Sequence, residues 1–239
     1  MKKYSEKKLD NNIKKMLIAY YENIDLEMHS SSQMSKTEMK HERFSRMFQL
    51  SKKDDVLDIG CSSGYLLNLL HDKVKSCYGL DISKNIITSC AKNNKHENVK
   101  YDVFNGEDID VKKLFDKIFL LDVLEHAFKP DRLLNSAVDH LKSSGEIIIE
   151  VPFTGFISEL ITKEYHQGHL RYYDPVYLES YLRKFDLKIE KISLSNSVPF
   201  SGFFLRVKFV WRFLNFICNL IPSKFYPYFG EIDIVAKKI

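Results

Sequence analysis

The chain has 239 residues, of which 44 % are apolar and 28 % charged, a balance that belongs to ordinary globular material. The length suits one α/β domain with a sizeable core and leaves little room for a second. The net charge of +4 is small for this length, and the lysines are scattered with a mild excess near the N-terminus, so no nucleic-acid surface is expected.

Residues 1–35 are polar around a short apolar patch, Met16–Tyr21, and predict an N-terminal helical arm. Its start, MKKYSEKKLDNN, is basic but has no apolar run behind it, unlike a signal peptide. The main domain is expected over 36–239. Its first helix lies in 36–50, where Met39, Phe44, Met47, Phe48 and Leu50 recur at roughly helical spacing.

Alternation follows. Asp55–Ile59 predicts a strand, Ser63–His71 a helix, and Val74–Leu80 a second strand ending at Asp81. Ser83 caps a helix to about Asn93, and Val99–Phe104 and Lys117–Asp122 predict strands three and four. Pro130 suits the first turn of a helix ending near Gly145, which is placed as the left-handed residue after it. Glu146–Val151 predicts strand five. Asp174 and Pro175 open a helix to about Phe185, and Leu187–Ser195 and Ile232–Ala236 predict strands six and seven. Strands joined by helix-length connections predict a mostly parallel sheet with helices on both faces. The last strand is expected beside strand six as an antiparallel partner.

The four cysteines, Cys61, Cys77, Cys90 and Cys218, show neither CxxC spacing nor zinc-type histidine pairing. Buried free thiols suit a reducing compartment, and a cytoplasmic protein is expected.

In an open α/β sheet, ligands bind beyond the carboxyl ends of the strands. After strand one comes Asp58-Ile59-Gly60-Cys61-Ser62-Ser63-Gly64. The glycines permit a tight turn and close approach of a ligand, and the next helix offers free N–H groups. Asp58 suits a ligand bearing an ammonium group and suits a pyrophosphate poorly. After strand two, Asp81 can accept ribose hydroxyls. After strand three, Asn105-Gly106-Glu107-Asp108 can meet an adenine edge, and strand four is followed by Asp122-Val123-Leu124-Glu125-His126.

With VLDIGCSSGYLL, YGLDIS, DVLEH and HLRYYDPVYLESYLRKFDLKIE in sequence, the chain resembles the class I S-adenosylmethionine-dependent methyltransferases of type 11/23 over about residues 40–195 and the final strand. The resemblance implies a Rossmann-like seven-stranded sheet in the order 3-2-1-4-5-7-6 with strand seven antiparallel. It implies that Asp58, Gly60 and Gly64 hold the methionine part of S-adenosyl-L-methionine, with Cys61 and Ser62 in the same cofactor-binding turn. Asp81 would take the ribose, Ile82 would pack on adenine, Asn105 and Gly106 would face adenine, and Asp122 would sit at the methionine end. Ser62 stands where the family usually has a glycine, and Asn105 where an aspartate is common.

His126, His166 and His169 are the candidate proton acceptors in catalysis. The acidic and histidine residues show no metal-ligand spacing, so a metal-independent reaction is expected. Phe203–Ile221, within an insertion over 197–230, is aromatic but interrupted by Arg206, Lys208 and Arg212. Its charges and length argue against a membrane span. It reads as a lid packed on the domain or on a second subunit, or as a helix lying on a lipid surface. The expected activity is O-methylation of a small molecule, such as a sugar or a lipid-linked glycan precursor. Transfer to nitrogen or carbon, a nicotinamide-dependent reduction and a non-catalytic partner subunit remain open alternatives. The reductase alternative expects a GxGxxG turn, whereas this chain carries GCSSG directly after Asp58 and Ile59.

Overall fold

Short apolar runs without alternation belong in strands covered on both faces, and the centre of the sheet follows this rule. β1 (Asp55–Ile59) is buried at all five positions. In the computed structural model, which describes residues 46–153, 169–171, 173, 175–196 and 230–239 together with Lys15 and Ala19, β1 lies inside a seven-stranded sheet. The other strands are β2 (Ser76–Asp81), β3 (Val99–Val103), β4 (Phe115–Leu121), β5 (Leu141–Phe153), β6 (Leu187–Asn196) and β7 (Gly230–Lys238). The helices are α1 (Tyr65–Leu70), α2 (Lys84–Asn93), α3 (Pro130–Asp139) and α4 (Pro175–Arg183).

The strand order is β3-β2-β1-β4-β5-β7-β6. β1 to β5 pair in parallel, and β7 runs antiparallel to both β5 and β6. The expected antiparallel pairing of the last strand with β6 is therefore present, and β7 also fills the gap between β5 and β6.

Each face of the sheet carries its own core. On one, Leu57, Ile118, Leu120, Ile147, Ile149 and Ile234 meet Leu133, Leu134 and Ala137 of α3 and Leu178 and Leu182 of α4. On the other, Val56, Phe119, Ile148 and Val235 meet Leu66, Leu67 and Leu70 of α1 with Met47 and Phe48. Phe48 seats edge-on against Phe119, with ring centroids 5.3 Å apart. Emptying such a site by Phe→Ala costs about 3–5 kcal/mol.

Local signals set several ends. Ser83 caps α2 by accepting a hydrogen bond from the Ile86 amide at 3.3 Å, and Pro130 opens α3. Gly145 differs from expectation. α3 ends at Asp139, capped by His140 at φ −91°, and Gly145 lies inside β5, outside the left-handed set. A Cβ there would meet Leu141 Cδ1 at 2.7 Å, so close packing of the strand against its own start, not a helix stop, accounts for the glycine. The β4–β5 register shifts between Phe115 and Lys117, which takes up the extra residues of β5.

The end of the sheet away from the strand carboxyl termini is closed by charge. Asp55 is buried and accepts from Ser76 Oγ at 2.7 Å and Lys142 Nζ at 3.2 Å, with Lys113 Nζ at 2.9 Å. Burial alone would raise its carboxyl, but the hydrogen bonds from Lys113, Ser76 and Lys142 outweigh that and hold it well below the usual carboxylate range.

Most of the N-terminal arm, Met39, Phe44, His166, Asp174, Cys218 and the 203–221 segment lie outside the described residues. Among the described residues, no helix is long and apolar enough to cross a membrane.

Candidate functional site

The strand order reverses between β1 and β4, which creates a crevice at their carboxyl ends. The ten expected cofactor residues and His126 gather at this edge, Asp58 and Asp81 at the ends of β1 and β2 and the rest on the connections leaving β1, β2, β3 and β4.

The turn after β1 is wound through three left-handed residues, Gly60 (φ 75°), Ser62 (φ 47°) and Gly64 (φ 71°). The Gly60 and Cys61 amides both donate to the Leu80 carbonyl, at 2.7 and 3.0 Å, which fastens the turn to β2. The Ser62 amide donates to Asp81 Oδ2 at 2.9 Å, and its carbonyl accepts from the Cys90 thiol at 3.3 Å. Serine is thus accommodated where glycine is usual, with Cβ strain offset by bonds at both backbone atoms. The space that a Cβ would take is filled by Val123 Cγ2 (2.7 Å) at Gly60 and by Tyr101 Oη (2.5 Å) at Gly64. At Gly64 the glycine therefore serves the turn and the packing of Tyr101.

Asp58 is 4 % exposed. Burial, reinforced by the charge of Asp81, pushes its carboxyl up to about 8. Among the described residues no basic side chain pairs with it. Such a site favours a ligand that brings its own positive charge. Cys61, Cys77 and Cys90 are free and buried. Burial, then the charges of Asp58 and Asp81, raise the Cys61 thiol, so it is a neutral wall of the turn.

Asp81 uses both oxygens locally, Oδ2 toward the Ser62 amide and Oδ1 toward the Ser83 amide at 3.0 Å. A carboxylate oxygen can accept more than one hydrogen bond, which suits Asp81 to a hydroxyl donor. Ile82 is half-buried, and its Cγ2 lies 3.3 Å from where a Gly106 Cβ would stand, so the two form one wall. Asn105 Oδ1 accepts from the Glu107 and Asp108 amides, both at 2.8 Å, which shapes the loop after β3. Asp108 is held by Arg132 through Nε (2.6 Å) and Nη2 (2.7 Å). Asp122 is exposed and left-handed (φ 55°), and its amide donates to Glu150 O at 3.1 Å.

The structure also joins residues far apart in sequence. His126 and His169 meet edge to face, with ring centroids 4.8 Å apart. Glu125, 1 % exposed, places Oε1 3.8 Å from His126 Nε2. Glu125, His126 and His169 each bring one donor atom within 4.8 Å of the others, and so do Asp122, Glu150 and Glu231. Neither grouping is legible as a spacing, because each draws on two or three separate strand ends. Sequence reasoning also passed over Glu125 and Arg171, although both stand inside the quoted motifs DVLEH and HLRYYD.

Comparison with known proteins bears on the family and the fold. A ubiquinone biosynthesis O-methyltransferase from Rickettsia conorii is 26 % identical over 130 residues, 52 % of this chain and 45 % of that protein. A tRNA U34 carboxymethyltransferase from Helicobacter pylori is 33 % identical over 106 residues, 41 % of each. The chain thus spans less than half the length of these relatives. An S-adenosylmethionine-dependent methyltransferase structure from Mesorhizobium loti superposes with a TM-score of 0.59 at 12 % identity, covering 82 % of this chain and 96 % of that one. A family model described as a methyltransferase domain matches residues 32–192, more than half of the sequence, and the chain belongs to that methyltransferase family.

Proposed function

We propose that the protein transfers the methyl group of S-adenosyl-L-methionine to a hydroxyl oxygen of a small molecule, such as a sugar or a lipid-linked glycan precursor. The observation that carries the cofactor reading is the buried Asp58 carboxyl, pushed up to about 8, beside Asp81 at the crevice. The cofactor's ammonium supplies the positive charge that Asp58 has no described partner for. Asp81 accepts from the ribose, Ile82 and Gly106 form the wall for adenine with Asn105 shaping that loop, and Asp122 stands at the methionine end. Gly60, Cys61, Ser62 and Gly64 set the turn around which these groups converge.

When bound, the cofactor supplies a methyl carbon on a positive sulfur; transfer breaks that C–S bond, forms a C–O bond and leaves a neutral thioether. The protein's part is to align the acceptor and take its proton. His126 and His169 are the described candidates for that proton, with His166 the third. A histidine base contributes about 10²–10⁴-fold. Glu125, at 3.8 Å from His126, stabilises the imidazolium that results. We take the reaction to be metal-independent and the protein to be cytoplasmic.

The Rickettsia relative named for O-methylation supports an oxygen acceptor. The Helicobacter relative is named for tRNA, but the net charge of +4 gives no strong phosphate-binding field. We therefore favour a small-molecule acceptor without nucleic acid. Methyl transfer from labelled cofactor into a small-molecule extract, run beside total tRNA, tests this. Label appearing only in tRNA overturns the acceptor reading.

A further inference from the structure

We infer that Arg171 is a positioning residue: it straps the loop bearing Glu125 and His126 and sets His169 against it. Arg171 is 2 % exposed, unusual for a guanidinium. Its Nη1 donates to the Leu124 carbonyl at 3.2 Å and also to the Ala127 carbonyl. Those two carbonyls bracket Glu125 and His126. On one side of Arg171, the Leu170 amide donates to the Glu125 carbonyl at 2.9 Å. On the other, Tyr173 Oη donates to the Leu124 carbonyl at 3.2 Å. Three residues thus take up the carbonyls of three of the four residues from Leu124 to Ala127.

The inner side of the loop is fixed as well, because the His126 and Ala127 amides both donate to the Val123 carbonyl at 3.0 Å. With its amides and carbonyls bonded in this way, the loop has one backbone path, and the His126 ring has a defined origin. His169 precedes Leu170 directly, so the same strap determines where its ring stands, 4.8 Å from His126. The strap is itself anchored: Leu170 and Tyr173 are buried, and Tyr173 belongs to the core shared with α4. A lysine in place of Arg171 keeps the charge, but its ammonium stands one bond short of the Nη1 position from which both carbonyls are met.

The inference rests on the proposed role of the histidine pair, and its test is independent of turnover. The protein is labelled at histidine, and contacts between the His126 and His169 rings are read by nuclear Overhauser effects. Binding of S-adenosylhomocysteine and thermal melting are measured alongside. In Arg171→Lys the ring–ring contact is expected to disappear, while affinity for S-adenosylhomocysteine stays within about threefold, since the cofactor turn is untouched. If Arg171→Lys does not fold, Tyr173→Phe removes one strap bond and is expected to weaken the ring–ring contact. An unchanged contact in the folded variant overturns the strap, as does its loss only in step with loss of S-adenosylhomocysteine binding. Full activity in His126→Ala and His169→Ala, with the contact still dependent on Arg171, removes this pair as the base, leaves His166 as the candidate, and leaves the strap standing.

Discussion

The Ser62 amide donates to Asp81 Oδ2 at 2.9 Å while Ser62 itself holds φ 47°, so one bond across 19 residues locks the β1–α1 turn to the end of β2. The turn depends on a backbone donor, and a Cβ at a left-handed position adds strain. Ser62→Gly keeps the N–H and removes the Cβ. It should raise stability by about 1 kcal/mol, read by urea unfolding, and retain S-adenosylhomocysteine binding. Ser62→Val, β-branched at a left-handed position, should lose about 1–3 kcal/mol.

Gly64 makes the opposite prediction. A Cβ there stands 2.5 Å from Tyr101 Oη at a φ of 71°. Gly64→Ala should therefore destabilise by about 1–3 kcal/mol from overpacking, with a further loss from the backbone. Adding Tyr101→Ala should restore the packing part and leave the backbone part, a coupling that a double-mutant cycle measures.

Asp58 makes stability depend on pH. Its folded carboxyl is raised to about 8 from an ordinary value of 3.8, so the folded state holds the proton more tightly than the unfolded state. Its contribution is greatest below the ordinary value and declines as pH rises through 8, by at most about 1.4 kcal/mol per pH unit. Asp55 acts in the other direction, and its stabilisation disappears as pH falls below the ordinary carboxylate range. Chemical unfolding between pH 5 and 8 should show stability falling for the ligand-free wild type and a flatter profile for Asp58→Asn.

The histidines divide binding from chemistry. Of His126→Ala, His166→Ala and His169→Ala, at least one should reduce methyl transfer by about 10²–10⁴-fold, with affinity for S-adenosylhomocysteine unchanged in calorimetry. Full activity in all three removes the histidine base. EDTA treatment should leave the rate unchanged; a loss restored by a divalent cation would reassign Glu125, His126 and His169 as its ligands.

That Asp58, Gly60, Gly64 and Asp81 share one edge of the sheet was readable because they lie in, or within a few residues of, recognisable apolar strands, and Ser83 and Pro130 mark helix starts by local chemistry. Gly145 was misread because helix stops and tight strand packing both select glycine, and only the pairing of β5 with β4 and β7 separates them. The acceptor half was mostly hidden. His169 reaches His126 through the Leu170 amide and the Arg171 side chain, and Glu231 reaches Glu150 through antiparallel pairing with a strand that arrives last in the chain.

The central claim is that Asp58 awaits a cationic ligand, and calorimetry tests it most directly. Titrations of S-adenosylhomocysteine and of NADH at pH 7, repeated in buffers of different ionisation enthalpy, report both affinity and proton release. The prediction is that S-adenosylhomocysteine binds with release of up to one proton, that Asp58→Asn weakens binding by roughly 100-fold and abolishes the release, and that NADH does not bind. Binding of NADH alone, or S-adenosylhomocysteine binding that is indifferent to Asp58 and to buffer, contradicts the account.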